Sequence, residues 1–567
     1  MISFPVHLVI APILIPFIAG AIMLLYDDRQ RKAKIGLGVV SVVLQIAVAI
    51  ELVAIAKSSL PVVYHLGDWL APFGIVLVLD RLSAMMLVLS SVLGLASLVY
   101  AAAAWHRQGQ HYHSLFQFLL MGLHGAFLTG DLFNLFVFFE VLLAASYGLL
   151  LHGSGQARVK SGLHYIAINL TASLFFLLGA SLIYGLTGTL NMADIARIFA
   201  QLPPADRPFF YAAIAFLSLA FLVKAGSWPL CFWLPAAYMA GAAPVGAMFA
   251  IMTKVGVYVV LRLAMLVIGT GGDAEQGLAG EIIIACGFVT IAFGTAGLLA
   301  SQLLARMASF LVLISSGTVL TVIGFALETQ TTAMLTGALY YLIISTLALA
   351  ALFLLSEPMN RDDGGFAAML ALTAETYGFE DEEMREVTPA RSMPGATTLL
   401  ALSFLICVLV LAGMPPLAGF IGKMTILGAA FELQVFSPAV IWTFVLLLVV
   451  CGFAAMIGLG RVGIQTFWGT DDPPQRVPVL EMAPVLFLVF MMVVFTFAAE
   501  PVLRYMAETA QALETPSRYI DSTLIVEEAP ATRPETQSMP PGPPGTSPLK
   551  VEPMPEAPAP ERQREEP

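Results

Sequence analysis

Four ionisable residues stand where an apolar chain should have none. Glu140 is the tenth residue of DLFNLFVFFEVLLAASYGLL, and Lys224, Lys254 and Lys423 lie in apolar runs of bilayer-spanning length. A charge at mid-membrane costs at least about 2.5–3.5 kcal/mol on insertion scales, so such residues tend to mark ion paths. At 1.5 Å per residue Glu140 falls about 15 Å deep, near the bilayer midplane. It reads either as a buried acid paired for helix packing or as a proton or cation relay. Lysine, unlike arginine, changes protonation readily when desolvated, and a nearby carboxylate favours its charged form. A lysine that meets and leaves a glutamate therefore binds and releases a proton. Lys254 has a plainer reading too, held by Thr253 and close-packed small residues. His124 and His164 lie on apolar helices and extend a relay, unless they only hydrogen-bond between helices. Arg262, near a span end, reads as a snorkelling side chain.

The prolines near these lysines point the same way. Pro229 and Pro235 cannot donate, so the carbonyls of Ala225 and Cys231 are predicted to lose their i+4 partners. A second interruption, AGMPPLAGFIGKM, has Pro415 and Pro416 freeing the carbonyls of Leu411 and Ala412 just ahead of Lys423. A helix broken at membrane depth is tolerated only inside protein or beside a wet cavity. Breaks at matching places in two halves suggest an inverted repeat with ion sites at the breaks.

The elements that position these residues follow from composition. Of 567 residues 59% are hydrophobic and 11% charged, against roughly 25% charged in soluble domains. This is an all-α polytopic membrane protein. Fourteen spans are predicted, near 5–25, 35–57, 82–104, 113–130, 131–151, 162–187, 209–238, 242–269, 279–300, 305–326, 332–355, 398–431, 437–462 and 479–500, with the seventh and twelfth broken. The fourth/fifth boundary, Thr129-Gly130-Asp131, is the least marked. They group as three N-terminal helices (1–112), a first five-helix repeat (113–269), a second (279–462) and a fourteenth helix (479–500). The second repeat carries an acidic loop, 357–397.

The net charge of −11 lies outside the spans, with the acidic excess concentrated in 357–391 and in the tail 501–567. That tail is expected to be disordered, since its last thirty-nine residues hold twelve prolines among Glu, Ser and Gly. Thirteen basic residues fall in one set of alternate loops and four in the other, which places both termini outside the cytoplasm. The apolar start has no basic n-region and reads as an uncleaved first helix. Cys231, Cys286, Cys407 and Cys451 lie within apolar spans, with no metal-type spacing. No cofactor or metal is expected, and nothing suggests bond-making chemistry or nucleic-acid binding.

Taken in order, FFEVLLAASYGLL, FLVKAGSWPLCFWLPAAY, MTKVGVY and GMPPLAGFIGKM resemble the antiporter-like subunits shared by respiratory complex I and the multisubunit Mrp/Pha cation/proton antiporters. The likeness runs over about residues 1–500. A lysine on the twelfth helix, and a chain ending after fourteen helices without a long lateral helix, are similar to the D-type antiporter subunit. The resemblance implies that Glu140 and Lys224 form an ion-pair switch, Lys254 connects, and Lys423 is the terminal proton-transfer lysine. One departure stands out. That family usually carries a histidine on the eleventh helix, whereas YYLIISTLALAALFLL places Ile344 and Ala348 there; Ser345 and Thr346 are the groups able to hold water.

The expectation is therefore a bacterial inner-membrane subunit that exchanges protons for Na⁺ or K⁺ in a hetero-oligomeric complex. The alternatives are a proton-pumping subunit of complex I or a membrane-bound hydrogenase, and a membrane scaffold that moves no ions.

Overall fold

A computed structural model describes residues 4–524, except residue 28, 58–59, 70–72, 271–272, residue 330, 361–394 and 469–477. Most of the acidic loop 357–397 and the tail beyond Leu524 lie outside the described residues.

Backbone polar groups in a bilayer must be satisfied within their own segment, so long apolar runs fold as helices. In chain order these are α1 (Ala11–Leu25), α2 (Arg31–Ala56), α3 (Arg81–Ala101), α4 (Tyr112–Leu128), α5 (Leu132–Leu150), α6 (Gln156–Thr187) and a short α7 (Met192–Gln201). The seventh predicted span is split into α8 (Arg207–Ala225) and α9 (Trp233–Ala240), followed by α10 (Ala243–Leu266), α11 (Asp273–Ala300), α12 (Leu304–Thr329) and α13 (Thr332–Met359). The twelfth is split into α14 (Gly395–Ala412) and α15 (Ala418–Ala430), before α16 (Pro438–Trp468) and α17 (Val479–Phe497). Thirteen helices among the described residues are long and apolar enough to cross a membrane. The remaining predicted span is α4, at 17 residues. The Thr129–Asp131 boundary is a true break, where Asp131 caps α5 by accepting from Asn134 N at 2.9 Å.

Three helices form the centre. Every residue of α10 is buried, and the spanning windows of α12 and α13 are 100% buried. The spanning windows of peripheral helices such as α6 and α8 are only 39% buried. Small residues let backbones meet: a Cβ on Gly287 would lie 2.9 Å from Gly317 O, and one on Gly324 2.7 Å from Gly280 O. This is the close packing that membrane helices use in place of a hydrophobic drive.

Three features differ from the sequence expectations. Residues Val62–His65 (β1) and Val76–Leu79 (β2) form an antiparallel hairpin, Val62 opposite Leu79, at one end of the otherwise helical bundle. Gly130 N bonds Val76 O and Met192 N bonds Gly130 O, tying the hairpin to the α4–α5 break and α7.

The expectation of disorder from residue 501 fails at its start, where α18 (Ala499–Leu513) and α19 (Pro516–Leu524) pack on the body. Met506, Thr509, Ala510 and Leu513 are buried at helical spacing. Tyr505 Oη donates to Arg81 O at 2.9 Å, and Arg81 pairs with Glu508.

Arg262 does not snorkel. It is 6% exposed and grips Asp80 with both Nη atoms, at 2.5 and 2.9 Å, beneath the Tyr519 ring of α19. Burial would raise the Asp80 carboxyl, but the Arg262 guanidinium beside it holds it below its ordinary value.

Candidate functional site

Glu140 is in the middle of α5, and Ser173 of α6 donates a hydrogen bond to its carboxylate. Lys224 is in the last turn of α8, its Nζ 5.6 Å from the centre of the Phe139 ring. Phe136, Phe139, Ser173, Phe176, Phe221 and Lys224 line one narrow cleft with no room for a free water. No ion pair within 4.0 Å joins Glu140 and Lys224 among the described residues. Lys224 thus lines the cleft directly, and Glu140 is tied to it through Ser173, without a direct pair.

Lys224 stands just before the first break. α8 ends at Gly226 with φ +69°, and Ser227 N reaches back to Leu222 O at 2.9 Å, a Schellman-type stop. Trp228 N is taken by Thr290 Oγ1 of α11 at 2.9 Å. The carbonyl of Cys231 is not free as predicted, because Leu234 N donates to it at 3.0 Å. Pro235 falls in the first turn of α9, where a missing N–H costs nothing, so it starts that helix rather than breaking one.

The second break repeats the design. α14 ends at Gly413, φ +78°, Met414 N bonds Leu409 O at 2.9 Å, and Ala418 N is taken by Thr496 Oγ1 at 3.0 Å. The two breaks share the pattern Ala-Gly-x-x-Pro-Leu, at 225–230 and 412–417. Here the predicted carbonyls do matter: Lys423 Nζ donates to Leu411 O and Ala412 O, each at 3.1 Å. Lys423 is 6% exposed, with Gly452 of α16 beside its ammonium.

Lys254 lies between the two breaks, 0% exposed at the centre of α10. Its Nζ donates to Ser315 Oγ at 2.8 Å and Ser316 Oγ at 3.2 Å, both on α12, rather than being held by Thr253, which bonds Ala250 O. Gly256, two residues on, lets α10 press against the Lys224–Ala225 peptide: a Cβ there would sit 2.5 Å from Ala225 N. Ser315 Oγ in turn bonds Ser345 Oγ of α13 at 2.8 Å.

Other candidates are placed apart. His124 is fully buried but spans Ser91 Oγ at 3.3 Å and Pro12 O at 2.9 Å, joining α4 to α3 and α1. His164 is exposed, its Nδ1 3.2 Å from Lys160 O. Thr346 Oγ1 donates to Leu342 O of its own helix at 2.6 Å, and Ile344 is 0% exposed. Sequence reasoning missed Ser173, Ser315 and Ser316. Tyr341 lies one helical turn before Ser345, where a Cβ on Gly422 of α15 would come within 3.2 Å of its own Cβ.

Residues 129–451 match the family model for the transmembrane region of NADH:quinone oxidoreductase and Mrp antiporters. The D-type subunit of a probable K⁺/H⁺ antiporter of Rhizobium meliloti is 49% identical, over 92% of this chain and 98% of that protein. The D-type subunit of a Na⁺/H⁺ antiporter of Alkalihalophilus pseudofirmus is 33% identical, over 91% and 99%. Among solved structures, a chain of the Mrp complex of Dietzia sp. DQ12-45-1b superposes with a TM-score of 0.78 at 23% identity, over 92% of this chain and all of that one. A chain of respiratory complex I of Thermus thermophilus gives 0.68 at 21%, over 89% and 99%. This multi-pass membrane chain belongs to the NADH:quinone oxidoreductase/Mrp antiporter transmembrane family.

Proposed function

We propose that the chain is the D-type, proton-translocating subunit of a multisubunit Na⁺/H⁺ or K⁺/H⁺ antiporter, working in a hetero-oligomeric complex of the bacterial cell membrane. The observation that carries this reading is that Lys224 lines one cleft with Phe139 and Ser173, its Nζ 5.6 Å from the ring of Phe139, while Ser173 donates to the Glu140 carboxylate and no ion pair joins the two charges among the described residues. Contact between them favours both charged forms; separation in a poorly hydrated interior drives each toward neutrality. Lys224 then releases a proton toward Lys254, brought near by the α8–α10 contact at Gly256. Lys423, held by carbonyls that Pro415 and Pro416 leave free, ends the path. A cation enters the cycle by competing for the Glu140 carboxylate.

The 49% identity to a K⁺/H⁺ antiporter chain and 33% to a Na⁺/H⁺ antiporter chain supports exchange of a monovalent cation, with no bond made or broken. The matching breaks support two inverted five-helix units, and the thirteen-to-four split of basic residues supports extracytoplasmic termini.

The test is proton flux in vesicles carrying the whole complex, driven by added Na⁺ or K⁺. Cation-dependent flux that disappears in Lys423→Ala, with the protein still inserted, is expected. Flux that requires electron transfer from NADH to a quinone, or hydrogenase turnover, instead would overturn the reading in favour of a redox pump.

A further inference from the structure

Glu140 and Lys224 stand apart, and each has a resting contact of its own. The Glu140 carboxylate accepts from Ser173 Oγ of α6, and no other hydrogen bond reaches it among the described residues. The Lys224 ammonium lies over the ring of Phe139, the residue before Glu140 on α5, with Nζ 5.6 Å from the ring centre. That ring meets Phe176 edge to face at 6.2 Å and 90°, and Phe176 meets Phe221 of α8 at 5.4 Å and 89°. Ser173 and Phe176 are three residues apart on α6, so one face of that helix supports both contacts. The serine has a second acceptor as well. Its Oγ is 3.1 Å from Asn169 O, one turn back, and a hydroxyl has a single proton to donate. When the carboxylate leaves for Lys224, the hydroxyl turns to that carbonyl, and no buried donor is left unpaired. Ser173 is 5% exposed in a cleft with no room for a free water, so water does not take over its role.

We propose that Ser173 is a positioning residue that holds Glu140 away from Lys224 and so keeps the carboxylate available to the transported cation, with the Phe139 ring as the matching rest for the ammonium. This rests on the reading of the chain as a proton-translocating antiporter subunit. Of two states, paired and open, a monovalent cation competes for the carboxylate only in the open one. The bond from Ser173 and the ring face under Lys224 are made in the open state alone, so they offset part of the attraction that closes the pair. The apparent affinity for the cation then scales with the open fraction. Ser173 therefore sets how much cation is needed, and not how fast a loaded site turns over.

The experiment measures proton flux against Na⁺ or K⁺ concentration, and assembly of the whole complex, in everted vesicles for Ser173→Ala, Ser173→Thr, Thr171→Ala and Glu140→Gln. Ser173→Ala removes the open-state donor. Its KM for the cation rises about three- to tenfold, the upper figure being the low end of what a hydrogen bond to a charged group is worth, while kcat is retained. Ser173→Thr keeps the hydroxyl and a KM near the wild-type value, a rescue that a packing role would not give. Thr171→Ala, which removes a hydroxyl of the same helix bonded to Ala167 O at 2.9 Å, leaves both constants unchanged. A wild-type KM in Ser173→Ala, or a fall in kcat at unchanged KM, overturns this proposal alone when Glu140→Gln is inactive. Normal exchange in Glu140→Gln overturns the wider reading of the chain. Should Ser173→Ala fail to assemble, Ser173→Cys decides, because it keeps the shape of the side chain and donates only weakly. A raised KM there supports the proposal, and a wild-type KM refutes it.

Discussion

Replacing Gly256 with alanine is expected to uncouple the two halves of the path while leaving the protein in the membrane. The added Cβ would sit 2.5 Å from Ala225 N, 2.8 Å from Lys224 C and 2.9 Å from Ala225 Cα. All three are backbone atoms, so no side chain can swing aside. Restoring an ordinary contact of 3.4 Å requires α8 and α10 to part by about 0.9 Å. Overpacking of this kind costs about 1–3 kcal/mol, and the better helix propensity of alanine returns about 1 kcal/mol. The net loss of about 0–2 kcal/mol is small enough for insertion and assembly to survive. The functional effect is larger, because Lys224 shifts relative to both Glu140 and Lys254, and a misplacement of about 1 Å costs on the order of 100-fold in rate. The assay is cation-driven proton flux normalised to assembled complex. Wild-type flux in Gly256→Ala at normal assembly would show that the α8–α10 approach does not set the distance between the lysines.

Other perturbations follow from the same contacts. Asp80→Asn and Arg262→Leu should each destabilise by about 3–5 kcal/mol, because each leaves a buried charge unpaired. The double variant should lose less than the two single effects combined, measured by thermal unfolding in detergent; simple additivity would mean the pair is not in contact. Truncation after residue 528 should leave assembly and flux near normal. Truncation after Ala498 removes α18 and α19, with the Arg81–Glu508 pair and the Tyr519 cover on Arg262, and should lower the yield of assembled complex.

The helices were legible because hydropathy over some twenty residues is a strong signal in a bilayer-spanning chain. The second break was legible in detail, since a proline names the carbonyl four residues back that it deprives, and Lys423 took those carbonyls. At the first break the same rule failed for Cys231, because a tight turn supplied another donor. Arg262 was misread for a different reason: its partner Asp80 is 182 positions away, and an arginine near a span end looks alike whether it reaches water or a carboxylate. The hydroxyls were hardest. Thr346, Thr318 and Thr290 each bond the carbonyl four residues back, while Ser315 turns to Lys254, and nothing in the local sequence separates the two behaviours. The hairpin and α18–α19 had patterns of their own, β-branched alternation and a narrow apolar stripe, overshadowed by the composition around them.

The central claim is that Glu140 and Lys224 form a switchable pair, and the direct measurement is cation-driven proton flux in vesicles containing the whole complex, with Glu140→Gln, Lys224→Ala and the double variant compared at equal assembly. Each single change removes one side of the switch, so both should stop exchange. The double variant should assemble better than the worse single one and remain inactive. A Glu140→Gln complex that exchanges cations for protons at the normal rate would contradict the account.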